Sequence, residues 1–169
     1  MRSPDGVAPP RSGLAERSEH EAWMRMALAV AAEAAASSDV PVGAVVVDSD
    51  GVVRGMGHNV REAAYDPTGH AEVVALRAAA GELGRWRLDG TVLVVTLEPC
   101  VMCTGAAVAA RVDGIVFGAW DEKAGACGSV WDLARDRASL HRPEVYAGVL
   151  ADDCAALLTD FFTAYRAEG

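Results

Sequence analysis

The sequence predicts an α/β protein, a three-layer α/β/α sandwich around a central mixed five-stranded sheet. Apolar runs of strand length, rich in valine, alternate with stretches whose apolar residues recur at helical spacing. The first two runs, 42–47 and 52–57, are joined across Asp50-Gly51, which reads as a hairpin. Strands that alternate with helices after an opening hairpin make a mixed sheet covered on both faces. At 169 residues the chain suits one domain, long enough to bury a core without staples.

Each element has its own signal. Residues 1–17 are rich in proline, serine and glycine and poor in apolar content, so they are expected to form a flexible extension to a single domain, 18–169. Ser18-Glu19-His20-Glu21 has the form of a capping box, with Ser18 as N-cap. Trp23, Met26, Ala27, Val30 and Ala34 follow at helical spacing, to about Ala36. After the hairpin, a loop through Asp66-Pro67-Thr68-Gly69 leads into a helix from His70 to about Ala80, with Gly81 as its stop. Thr91–Leu97 reads as a strand buried on both faces. Pro99 stands where proline can open a helix, here running to about Arg111. A fourth strand at Gly114–Gly118, a short helix around Trp131–Arg135 and a fifth strand at Val145–Gly148 follow. The last helix spans about Asp152 to Tyr165, and its stripe of Leu157, Leu158, Phe161, Phe162 and Tyr165 reads as core.

Composition limits the partners. Net charge is −9 and the isoelectric point about 4.8, so the chain lacks the generic basic surface of a nucleic-acid binder. Lys123 is the only lysine. No apolar run reaches membrane-spanning length, and the start lacks the apolar core of a signal peptide, which gives a cytoplasmic protein with no membrane partner as the expectation. In that compartment the Cys100/Cys103 pair reads as metal or redox chemistry, and Cys127 and Cys154 as small buried hydrophobes.

Chemistry concentrates in two segments about thirty residues apart, His70-Ala71-Glu72 and Pro99-Cys100-Val101-Met102-Cys103. Both fall at strand-to-helix junctions, in the first turn of a helix. Residues three apart share a helix face, so the two sulfurs can reach one metal, and the positive end of the helix dipole favours thiolate. One imidazole and two thiolates leave a zinc ion with an open position for water, as in catalytic rather than structural sites. Glu72 is not needed as a ligand and can take the water's proton and return it. Read alone, the C-x-x-C could instead be a redox pair, and a closed structural site would need a fourth ligand, for which Glu98 and Cys127 are candidates.

H-x-E followed by P-C-x-x-C is the zinc deaminase pattern. The match extends through Val40–Val45, Asp66-Pro67-Thr68, Thr96–Cys103, Val116–Ala119, Gly148–Asp152, Cys154–Leu158 and Asp160-Phe161-Phe162, all of which resemble the bacterial tRNA-specific adenosine deaminases over about residues 20–166. The resemblance implies a cytidine deaminase-like fold and a homodimer with one zinc per subunit, held by His70, Cys100 and Cys103. It implies zinc-hydroxide attack on C6 of a flipped-out wobble adenosine in a tRNA anticodon stem-loop, with Glu72 as proton shuttle and inosine and ammonia as products. It also places Asn59, Ala71, Trp120, Asp121 and Lys123 against the substrate.

The sequence departs from that pattern in three places. Gly69 stands where alanine is frequent, and Trp120 stands where arginine is familiar. Thr163–Arg166 is nearly neutral where some relatives are basic. An indole can stack on a base where a guanidinium would bind phosphate, and a few placed arginines among Arg61, Arg77, Arg111 and Arg166 could serve an otherwise acidic chain. Deamination of a free base or nucleoside, of the guanine or cytosine type, is the alternative within the same chemistry. A non-catalytic, zinc-stabilised RNA-binding subunit is the alternative outside it, and Glu72 argues against it.

Overall fold

The computed structural model describes residues 13–167, so most of the expected N-terminal extension, residues 1–12, lies outside the described residues. Helix α1 (Gly13–Ala34) and a short 3₁₀ turn (Ala35–Ser37) lead into the hairpin of β1 (Gly43–Asp48) and β2 (Val53–His58). Helix α2 (Ala71–Leu83), β3 (Thr91–Leu97), α3 (Val101–Ala110), β4 (Gly114–Ala119), β5 (Glu144–Tyr146) and α4 (Ala151–Ala167) complete the chain. The sheet order is β2-β1-β3-β4-β5. β1 runs antiparallel to both β2 and β3, while β3, β4 and β5 are parallel. This is the expected mixed five-stranded sheet.

Alternation along the strands builds the two outer layers. Ala44 and Val46, Leu93 and Val95, and Ile115 and Phe117 face one side with Ala71, Ala75 and Ala79 of α2 and Ala107 of α3. Val45, Val47, Val94 and Val116 face the other with Met24, Ala27 and Val30 of α1 and Cys154 of α4. Cys127 and Cys154 are both buried, as expected.

Several local expectations change. Helix α1 begins five residues before Ser18, which therefore sits exposed within it and caps nothing; Glu21 pairs with Arg17 (3.3 Å) and Arg25 (3.7 Å) instead. The buried side of α1 is Met24, Ala27, Val30, Ala31 and Ala34, with Met26 turned outward and Trp23 only partly covered. Helix α2 runs through Gly81 and ends at Gly84, whose φ of 63° supplies the left-handed residue that closes a helix. Trp131–Arg135 is not helical, because its backbone bonds run sideways: the Trp131 N–H donates to Gly125 O (3.0 Å) and the Leu133 N–H to Ala126 O (2.9 Å). Gly148 has φ 76° and falls outside β5. The aromatic stripe of α4 is not core: Phe162 and Tyr165 are exposed and Phe161 only partly buried.

Candidate functional site

β3 delivers one half of the site and the loop after β2 the other. Beyond Leu97 the chain passes Glu98 and Pro99 to Cys100, the N-cap of α3, with Cys103 one turn into that helix. His70 is the N-cap of α2, and Glu72 lies in its first turn. Both helices begin with an extended residue whose side chain makes no capping bond, so the ligand atoms are left free to turn toward each other.

His70 Nδ1 lies 3.6 Å from Cys100 Sγ and 3.4 Å from Cys103 Sγ. All three ligand atoms fall within 4.8 Å of one another, the one such group of His, Cys and carboxylate side chains among the described residues. Zinc bonds of about 2.3 Å to sulfur and 2.0–2.1 Å to nitrogen at a tetrahedral angle would set sulfur and nitrogen about 3.6 Å apart. The spacing and the donor set fit zinc. Glu98 and Cys127 are not in the group, so no fourth protein ligand closes it.

The ligand side chains and Glu72 share protons closely. Hydrogen bonding from the Cys103 thiol, and then from His70, lowers Cys100 to about 4, whereas Cys103, facing that thiolate in a buried position, is pushed far up. The hydrogen bond to Cys100 raises His70. Glu72 is buried, and that burial lifts its carboxyl to about 7, within hydrogen-bonding reach of the Cys103 sulfur.

Two loops form the rim. The first, 59–69, starts at Asn59, whose side-chain oxygen accepts the Arg61 N–H at 3.5 Å. Buried Asp39 holds this loop by accepting the N–H groups of Glu62 (2.8 Å) and Ala63 (3.1 Å). Sequence reasoning missed Asp39, whose only signal was an acidic residue before Val40-Pro41. Gly69 suits the tight end of the loop, where a Cβ would meet Val60 at 3.0 Å and the Asp66 carbonyl at 3.1 Å. Asn59 and Arg61 line a cavity of about 370 Å³ together with Phe161, Phe162 and Tyr165. Phe161 and Tyr165 stack there with ring centres 6.3 Å apart.

The second loop, 120–131, lies against Cys100 through a bridge between Cys100 and Gly125. Trp120 is 48% exposed and rests edge-on against buried Phe117, with ring centres 4.9 Å apart. Lys123 is exposed. The Asp121 carboxylate accepts the N–H groups of Lys123 (3.0 Å) and Ala124 (3.2 Å) and so shapes the loop from within. Ala71 is fully buried, main chain included. Of the four arginines, Arg61 alone lines the cavity; Arg77 pairs with Asp66 (3.8 Å), Arg111 caps the far end of α3, and Arg166 donates to the Phe162 carbonyl (3.1 Å). A larger cleft of about 580 Å³ opens at the other end of the parallel strands, where Glu16, Glu19, Asp48, Asp113 and Glu144 outnumber Arg142 and disfavour phosphate.

Comparison with known proteins agrees with this geometry. Residues 17–119 match the cytidine and deoxycytidylate deaminase zinc-binding region. The chain is 40% identical over 148 residues to the tRNA-specific adenosine deaminase of Bacillus subtilis (strain 168), covering 88% of this chain and 91% of that one. It is 52% identical over 143 residues to the tRNA(Ile)-lysidine synthase of Deinococcus deserti, covering 85% of this chain and 27% of that longer protein, so it spans about a quarter of that relative's length. A structure solved in studies of A-to-I editing by tRNA:A34 deaminases at the wobble position superposes with a TM-score of 0.78 at 39% identity, over 81% of this chain and 99% of that one. The chain belongs to the zinc-binding cytidine and deoxycytidylate deaminase family and, within it, to the tRNA-specific adenosine deaminases.

Proposed function

We propose that this chain converts the wobble adenosine of a tRNA anticodon loop to inosine, with release of ammonia. The observation that carries this reading is a three-ligand site with a buried carboxylate beside it, while the loop that leads to His70 starts at Asn59 and shares a cavity with the α4 aromatics. His70, Cys100 and Cys103 would hold zinc, which when bound supplies a Lewis acid that acidifies water. Glu72 takes a proton from the attacking water as the C6–O bond forms and delivers it to a ring nitrogen. A second proton passes through Glu72 to the exocyclic nitrogen as the C6–N bond breaks, so ammonia leaves. Burial raises the Glu72 carboxyl above the usual carboxylate range, the direction that suits a group which both takes and returns a proton.

Recognition falls to the rim. Asn59 offers an amide to the flipped base, and Trp120 offers a face for a neighbouring base, an interaction available to a chain with a net charge of −9. Lys123 and Arg61 lie exposed where they could meet phosphate. A tRNA substrate calls for a cytoplasmic enzyme; no helix among the described residues is long and apolar enough to cross a membrane. A homodimer is consistent with exposed Tyr65 (93%) and with Val101 and Trp131, which share one cleft beside the metal ligands.

The test is inosine formation by the zinc-loaded protein on an anticodon stem-loop, with free adenosine, guanine and cytidine alongside. Turnover of the stem-loop alone is expected; turnover of a free base or nucleoside with silence on RNA would move the assignment to a small-molecule deaminase. Trp120→Ala should raise KM for the stem-loop about 5- to 150-fold, the range lost with one base stack, while zinc content holds. An unchanged KM would remove Trp120 from the RNA surface.

A further inference from the structure

Loop 120–131 holds three of the residues expected to meet RNA, yet its first nine residues, 120–128, form no helix and make only isolated bridges to Cys100 and Asp132. One buried side chain organises it. Glu98 is 2% exposed, and its carboxylate accepts three N–H groups, all from this loop: Asp121 (3.0 Å), Cys127 (3.0 Å) and Ser129 (3.1 Å). No ion pair to Glu98 occurs among the described residues, so these donors stand in for a counter-charge. The Ser129 hydroxyl donates to the Asp121 carbonyl (2.8 Å), which closes the loop around the carboxylate. Gly125 passes so close that a Cβ there would lie 2.2 Å from the nearer Glu98 oxygen.

Glu98 stands two residues before Cys100 on the same chain segment, and its own N–H donates to the Ala119 carbonyl (2.8 Å), directly before Trp120. The carboxylate therefore fixes the offset between the metal ligands and the loop that begins at Trp120. We propose that Glu98 is a positioning residue for RNA: it sets the Trp120–Lys123 rim against the metal site and takes no part in proton transfer. This inference rests on the tRNA reading above.

Glu98→Gln keeps the shape but turns an NH2 group toward an N–H donor, so at least one of the three bonds is lost. The metal ligands sit on α2 and α3 and should stay, with zinc content unchanged. KM for the stem-loop is expected to rise about tenfold or more, with kcat within about threefold, because the acceptor bonds lost are to a buried charge. Ser129→Ala removes only the exposed hydroxyl that closes the loop on the Asp121 carbonyl and should shift KM the same way by less, which guards against misfolding in a single variant. In a Trp120→Ala background Glu98→Gln should add little, since both act through the same surface. Amide exchange at Asp121, Cys127 and Ser129 should quicken in Glu98→Gln with or without RNA.

A loss confined to kcat, or an additive effect with Trp120→Ala, would overturn the positioning role while leaving the deaminase reading intact. A wild-type protein that ignores the stem-loop but deaminates a free base would sink both, even if the amides still respond.

Discussion

Glu72→Gln should lower kcat for stem-loop deamination by about 10²- to 10⁴-fold, the range supplied by a positioned general acid and base. Zinc stoichiometry and the thermal midpoint should stay near those of the parent. The side chain is 4% exposed in the first turn of α2, flanked by His70 two residues earlier and by the Cys103 sulfur. Glutamine fills the same volume without leaving a cavity, so a fall in rate cannot be charged to repacking. The amide neither accepts the water's proton nor returns one to the leaving nitrogen, and both half-transfers stop together. Because Asn59, Trp120 and the α4 aromatics are untouched, stem-loop affinity should hold, which makes the loss one of kcat. Residual activity within tenfold of the parent would show that another group moves the proton. Unchanged RNA binding with no parent turnover to lose would favour the binding-subunit reading.

The chemistry of the site was more legible in the sequence than its rim. The ligand positions follow from local rules: three-residue spacing puts Cys100 and Cys103 on one face, and the strand-to-helix junctions bring them near His70. β3 could be read residue for residue because it is apolar on both faces and sits between Gly90 and Glu98. Signals that depend on what lies across the fold were not legible. Gly81 looked like a helix stop, but Gly84 is the residue that turns left-handed, and α2 continues to it. Trp131–Arg135 has helical composition, yet its N–H groups are claimed by the 125–126 backbone. Glu98 could be seen only as a spare ligand, because its three donors lie 23 to 31 residues further along the chain. The stripe on α4 satisfied helical periodicity, but periodicity does not say whether another layer covers it. Here Phe161, Phe162 and Tyr165 are left to line the cavity beside Asn59.

Cys103→Ala tests the other half of the site. Loss of a partner that merely orients a ligand already costs a metal about 10- to 100-fold in affinity, so loss of a ligand should cost more. After dialysis the variant is expected to hold well under one zinc per chain and to show no detectable inosine formation. Cys103 is fully buried in the first turn of α3, with its sulfur 3.4 Å from His70 Nδ1. Alanine keeps the helix and removes only that sulfur, leaving an imidazole and one thiolate, which do not define a tetrahedral zinc. The two apolar clusters on either face of the sheet, centred on Phe117 and on Met24, do not depend on the metal, so the fold should persist with only a modest drop in melting temperature. That separation distinguishes a catalytic zinc from a structural one, because a module that uses its metal to fold would unfold when the ligand is lost. Metal analysis beside a thermal melt decides between them: zinc lost and fold kept supports the catalytic site, zinc and fold lost together supports the structural reading, and full zinc retention would remove Cys103 from the ligand set.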